Sequence, residues 1–250
     1  MEHYFTAQQL FAGALVFARI ASMIMAMPGL GSPAPATVRL AFAVLMCLVV
    51  TPVVYPALPL IPLTLGELTG DVLREVLIGL AIGAILRVFL ASMATAGEVI
   101  SIATTLSFAQ TANPDQGQQN TTLATFLSLM AVVLVMVTDL HHLFLAAMVR
   151  SYTLFPFGRP PPVGDFAQLA IRTTAQAFAL SLQLAAPVLV FSLIFNIATG
   201  LVGRAMPQFQ IYFAAAPLQV LLGLSLFALS IGVMGTYWID RYRVVLQAFG

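Results

Sequence analysis

Asp139, His141 and His142 fall within four consecutive positions of an apolar stretch, and their types invite metal or proton-relay chemistry. Adjacent helical residues diverge by about 100°, so the two histidines are not expected to share one helix face. The H-E-x-x-H spacing of a helical zinc site is absent. His3 is the only other histidine of the chain and Cys47 the only thiol. A closed zinc site is therefore not expected, and nothing in the residues calls for a metal or a cofactor. A hydrogen-bonded polar knot between helices is the expectation instead. Nucleophilic chemistry fares no better. Ser107 and His141 supply a hydroxyl and a base, but no Gly-x-Ser-x-Gly turn frames Ser107. There is no P-loop. The chain reads as no enzyme.

Arg19, Arg87, Glu98 and Asp139 also interrupt apolar runs. An ionisable group at a bilayer centre costs about 2.5–3.5 kcal/mol on insertion scales. Such groups must face protein, water or a partner. Arg87 reads as a structural ion pair or a side chain snorkelling to an interface. Glu98 and Asp139 are too short to snorkel far, so an interior or intersubunit role is expected, with arginines of this chain or a neighbour as partners. Arg19, His141 and Arg204 join them in one set of intramembrane or intersubunit polar residues.

Composition decides the class. The chain is 60% hydrophobic and 8% charged, with a mean hydropathy of +1.00. A soluble domain carries about 25% charged residues. This chain has too few charges to cover a soluble surface of its size, so it is an all-α polytopic membrane protein. Lysine is absent and all ten basic residues are arginine. The net charge of +1 excludes the clustered basic footprint of a nucleic-acid binder. Cys47 lies in an apolar run and reads as a small buried hydrophobe. Met1–Gln9 carries Glu2 and His3 and no Arg or Lys, so the first apolar run reads as a retained span and not a cleaved signal.

Six apolar blocks follow from breakers and charges. Leu10–Met27 ends at Pro28-Gly29, and Arg39–Val54 ends among Pro52, Pro56, Pro59 and Pro62. Val72–Leu106 is 35 residues long, where one span needs about 20. It must tilt, project or break, with Gly97 as the break or a close-packing point. Gly79 and Gly83 form a small-xxx-small pair. Leu123–Val149 is again long for one span. Arg150–Arg172 reads as a loop, Ala175–Ile197 as the fifth span around Pro187, Gly200–Gln210 as a polar turn and Ile211–Trp238 as the sixth span around Pro217. Six conventional crossings put Arg74, Arg150, Arg159, Arg172, Arg241 and Arg243 on one side and Arg39 and Arg204 on the other, which favours cytoplasmic termini.

Between the third and fourth blocks lies Ser107–Thr122, SFAQTANPDQGQQNTT, with four glutamines and the single charge Asp115. A polar, nearly uncharged segment with Pro114 and Gly117 is either a surface loop or a pore lining. A stand-alone small-solute channel or secondary transporter is the rival reading. Pro187 and Pro217 would break two helices, but nothing equivalent breaks the first two blocks.

The succession Ala96-Gly97-Glu98, Leu106-Ser107-Phe108-Ala109, Asn113-Pro114, Asn120, Asp139, His141-His142 and Pro156-Phe157-Gly158 resembles the FliR family of flagellar export-gate membrane proteins, which has injectisome relatives. Arg19, Pro28-Gly29, Arg39, Pro187, Asn196, Gly200-Leu201, Arg204, Pro207-Gln208 and Pro217 extend the resemblance over nearly the whole chain. Leu140 stands where many family members carry a small residue, often Gly. The resemblance implies a component of the flagellar type III export gate in the bacterial inner membrane and flagellar basal body. Its implied partners are FliP-like and FliQ-like subunits, FlhB-like and FlhA-like export proteins, and unfolded flagellar cargo. It implies a FliP-like part over 1–172 and a FliQ-like helical hairpin over 173–250. It also implies helical mass above the ordinary membrane plane, which suits the over-long blocks. The family's pore plug falls on 107–122, with Ser107, Phe108, Ala109, Gln110, Asn113, Pro114, Gln116 and Gly117 as its residues and Phe108 reaching toward the pore.

Overall fold

The computed structural model describes residues 7–26, 35–55, 64–107, 121–158, 163–206 and 211–247. Among them are seven helices and no strand: α1 Ala7–Ala26, α2 Ala36–Val54, α3 Leu65–Ala103, α4 Thr122–Val137, α5 Leu140–Leu154, α6 Val163–Ala205 and α7 Ile211–Gln247. Helices α1, α2, α3, α6 and α7 are each long and apolar enough to cross a membrane, and α4 with α5 make a sixth span if counted as one broken crossing. The chain is a polytopic all-α membrane protein.

Several boundaries differ from the sequence reading. The third block does not break at Gly97; α3 runs unbroken for 39 residues. The fourth block breaks instead at Thr138-Asp139. Thr138 ends α4, its N–H bonding back to Leu134 O at 3.0 Å. Asp139 then takes a left-handed conformation at φ 57, uncommon for a residue with a Cβ. The expected loop Arg150–Arg172 shrinks, because α5 continues to Leu154 and α6 begins at Val163. Gly200–Ala205 closes α6 and is not a turn region, and Asp240, Arg241 and Arg243 continue α7 rather than forming a tail. Arg39, Arg74, Arg150, Arg172, Arg204, Arg241 and Arg243 therefore all lie in helices, so a count of arginines by loop has no loops to rest on. Arg159 lies outside the described residues.

Pro52, Pro187 and Pro217 sit inside helices. Each lacks the N–H that would bond the carbonyl four residues earlier. Membrane helices tolerate this where other groups satisfy the freed carbonyl.

The chain forms two compact units, dividing at Phe89/Leu90, Thr138/Asp139, Thr174/Ala175 and Tyr242/Arg243. The first unit is built on α1. Its buried positions Ala12, Leu15, Val16, Arg19, Ile20 and Met23 recur at the three- and four-residue spacing of one helical stripe. That stripe meets α3 at Gly79 and Gly83. A Cβ on Gly79 would collide with the Ser22 side chain and the Arg19 carbonyl, and one on Gly83 would lie 2.7 Å from Ala26 Cβ and 2.8 Å from Met23 O. The small-xxx-small pair is thus the α1–α3 contact. Close van der Waals approach, rather than escape from water, holds such helices together in lipid.

In the second unit α6 and α7 pair antiparallel. Ser192 meets Gln219 and Gln183 meets Tyr237, so one helix number falls as the other rises. Phe126 of α4 packs edge-on against Phe227 of α7 at 6.3 Å between centroids. Trp238, fully buried, donates its indole N–H to Ser92 Oγ at 3.1 Å.

Candidate functional site

The polar segment between α3 and α4 has two feet, and each is fastened by side chains from elsewhere in the second unit. Residues 108–120 lie outside the described residues, and with them Phe108, Ala109, Gln110, Asn113, Pro114, Gln116 and Gly117. Ser107, half-buried, is the last described residue before the segment. Thr121 is the first after it.

At the N-terminal foot α3 unwinds. Thr104 N–H bonds Ile100 O at 2.9 Å and Thr105 N–H bonds Ile102 O at 3.1 Å. Thr105 then turns left-handed at φ 60. The turn takes the chain away from the helix, so the Ala103 carbonyl needs a donor from outside it. Ser192 Oγ of α6 donates to Ala103 O at 2.7 Å and Gln219 Nε2 of α7 donates to it at 2.9 Å. Gln219 Nε2 and Asn196 Nδ2 each lie 3.4 Å from Ser192 Oγ. Ser192 and Gln219 are buried at 6% and 5% exposure, where an unpaired amide or carbonyl would cost about 1–3 kcal/mol. Beside this knot lies a cavity of about 470 Å³ reached by Thr105, Asn196, Phe213, Pro217 and Gln219.

At the C-terminal foot α4 begins. Thr121 is its N-cap, accepting the Ala124 N–H on its side-chain oxygen at 3.3 Å. In a capping box an acid three residues on would take the cap's own N–H. Ala124 occupies that position, and Glu98 of α3 supplies the carboxylate instead, with Oε1 accepting Thr121 N–H at 2.8 Å. Gly97 makes the approach feasible. A Cβ there would sit 2.5 Å from Ala124 Cα and 2.6 Å from Ala124 N. The expected partner of Glu98 is an arginine; among the described residues it meets a backbone N–H instead.

Arg19 has its partners within the first unit. It is fully buried, with Nε 2.5 Å from Glu75 Oε2 and Nη2 3.0 Å from Glu75 Oε1. Nη1 donates to Ser151 O at 3.1 Å and Nη2 to Phe155 O at 2.9 Å. Those carbonyls lie at the C-terminal end of α5, whose dipole favours a cation; Ser151 O also accepts the Phe155 N–H at 2.9 Å. The guanidinium lies 4.2 Å from the Tyr152 ring centre and 5.2 Å from that of Phe157, a cation–π arrangement. One arginine thus ties α1 to α3 and to the turn after α5. Sequence reasoning misses Glu75, although a carboxylate in an apolar block is the signal that points to it.

Asp139, His141 and His142 come together more closely than their helix positions suggest. The two imidazoles lie 4.1 Å apart between centroids. One donor atom from each of the three residues lies within 4.8 Å of the others. The 100° divergence holds at Cβ only; side-chain rotation in the first turn of α5 closes it. Asp139 is not interior, since its side chain is 77% exposed. Leu140 is buried in the first unit. Arg204 is exposed in the last turn of α6, where its charge complements the helix dipole. Arg87 is exposed and in no ion pair among the described residues. Cys47 is buried, with its Sγ 3.4 Å from Gly13 O.

Similarity to known proteins covers the same span as these sites. A family model described as bacterial export proteins, family 1, matches residues 10–244. The flagellar biosynthetic protein FliR of Caulobacter vibrioides is 58% identical over 250 residues, covering all of both chains. The FliR of Aquifex aeolicus is 27% identical over 92% of this chain and 90% of its own. That of Pectobacterium carotovorum is 26% identical over 83% of this chain and 79% of its own. The chain belongs to the FliR family of bacterial flagellar export proteins.

Proposed function

We propose that this chain builds the flagellar type III export gate together with FliP-like and FliQ-like subunits, and that the gate conducts unfolded flagellar subunits. The full-length match at 58% identity to a FliR carries the reading. Residues 1–172 act as the FliP-like part and 173–250 as the FliQ-like hairpin. The antiparallel α6–α7 pair supports the second assignment. The gate stands in the inner membrane at the flagellar basal body, with FlhB-like and FlhA-like export proteins as further partners.

The segment 107–122 is the seal. Its composition suits a closure that must yield to cargo, since glutamines and asparagines bond loosely and no salt bridge has to break. Phe108 supplies the apolar part. The fastened feet support this reading: a plug must be anchored at both ends. Glu98 with Gly97 fixes one end, and Ser192 with Gln219 fixes the other.

Co-purification tests the assembly. A tagged full chain, extracted from its native membrane, should bring FliP-like and FliQ-like subunits in fixed stoichiometry. Recovery as a functional monomer or homo-oligomer would contradict it.

A further inference from the structure

We propose that Asp139, His141 and His142 form a binding site for one divalent transition-metal ion of the zinc class. Two imidazole nitrogens and one carboxylate oxygen are the donor set of three-ligand zinc centres, which leave the fourth position to water or another donor. The donor atoms lie within 4.8 Å of one another. Bonds of about 2.0–2.1 Å place tetrahedral ligand atoms roughly 3.4 Å apart, so small side-chain rotations close the set.

The surroundings leave these groups free to ligate. Asp139 occupies the N-cap of α5, yet its carboxylate makes no capping bond. Its left-handed backbone turns the carboxylate over the first turn of α5, where Oδ1 stands 3.6 Å from His142 Nδ1, too far for a hydrogen bond. His141 Nδ1 is buried with no hydrogen-bond partner among the described residues. A buried ring nitrogen without a partner is costly, and coordination of the imidazole by a metal changes which nitrogen must carry a proton. The positive end of the α5 dipole opposes a cation, and the uncapped Asp139 carboxylate offsets it. Imidazole ligands select zinc, nickel or copper over magnesium and calcium. The 69% and 77% exposure of His142 and Asp139 gives the ion a route in and leaves its open position to water or to a neighbouring subunit. Such an ion would stiffen the first turn of α5.

Isothermal titration with Zn²⁺ tests this on the full chain in detergent, with any polyhistidine tag removed. Co²⁺ in place of Zn²⁺ gives a visible d–d band that reports nitrogen and oxygen ligands. The expected result is one Zn²⁺ per chain, weakened at least tenfold by Asp139→Asn and by His142→Ala. Both substitutions spare the fold, because Asn also adopts the left-handed conformation and His142 is exposed. No binding by the wild-type chain, or equal binding by wild type and both variants, overturns the site.

Discussion

Glu98 accepts the backbone N–H of Thr121 across 23 residues of sequence, at 2.8 Å. The acid that a capping box would place on α4 comes from α3, and the cap therefore fixes where the polar segment ends. Glu98→Ala leaves that N–H without its charged acceptor and should cost about 1.5–3 kcal/mol. Glu98→Gln keeps an acceptor and should recover most of it. Thermal unfolding in detergent and yield of the intact gate complex measure both. Wild-type values for Glu98→Ala would mean the contact is incidental.

Arg19 should tolerate no single replacement. Arg19→Met strands Glu75 in the core of the first unit and is expected to cost about 3–5 kcal/mol. Arg19→Lys should not rescue it, since an ammonium cannot form the two-pronged contact with Glu75 while reaching Ser151 O and Phe155 O. Removing both charges, as Arg19→Met with Glu75→Leu, should be milder than Arg19→Met alone. Limited proteolysis of the membrane-extracted chain ranks the three. A double variant as labile as the single one would show that the ion pair itself stabilises.

Apolar blocks and breakers make the helices readable, and the FliR resemblance names the family from motifs whose order spans the chain. What stays hidden is mostly relational. Nothing local links Arg19 to Glu75, 56 residues away, or sends Ser192 and Gln219 to Ala103 O. Such pairings arise from packing, which carries no period in the sequence. The break at Asp139 is hidden for another reason. It uses a left-handed aspartate with neither Gly nor Pro, so the usual punctuation is missing. Conversely, Pro187 and Pro217 look like breaks and are not, because long membrane helices absorb them. The ends of α5, α6 and α7 escape a reading by charge, because arginines such as Arg150, Arg204 and Arg243 extend a helix past its apolar stretch.

The Ala103 carbonyl has two donors, so its loss should be strongly non-additive. Ser192→Ala or Gln219→Leu alone leaves one donor and should cost less than about 1 kcal/mol, while together they leave the carbonyl unpaired, at about 1–3 kcal/mol. A double-mutant cycle on thermal stability reads the coupling. Strict additivity would mean that the two bonds do not share one acceptor in the membrane.

Gly97→Ala should behave differently from a glycine with room around it. Its new Cβ meets the Ala124 backbone at 2.5 Å, and overpacking of this kind costs about 1–3 kcal/mol. A Cβ added at Gly232, inside α7, would meet nothing within 4 Å. Gly232→Ala should be neutral or stabilising by up to about 1 kcal/mol. Equal melting shifts for the two would remove the case for a tight α3–α4 contact.

The function proposed for the segment between Ser107 and Thr121 is to seal a protein-conducting gate. Ion conductance through the assembled gate is the decisive readout, comparing wild type with a chain lacking residues 113–119. A gate that has lost its seal should leak clearly more at unchanged complex yield. Assembly at wild-type yield with an unchanged leak would show that the segment seals nothing.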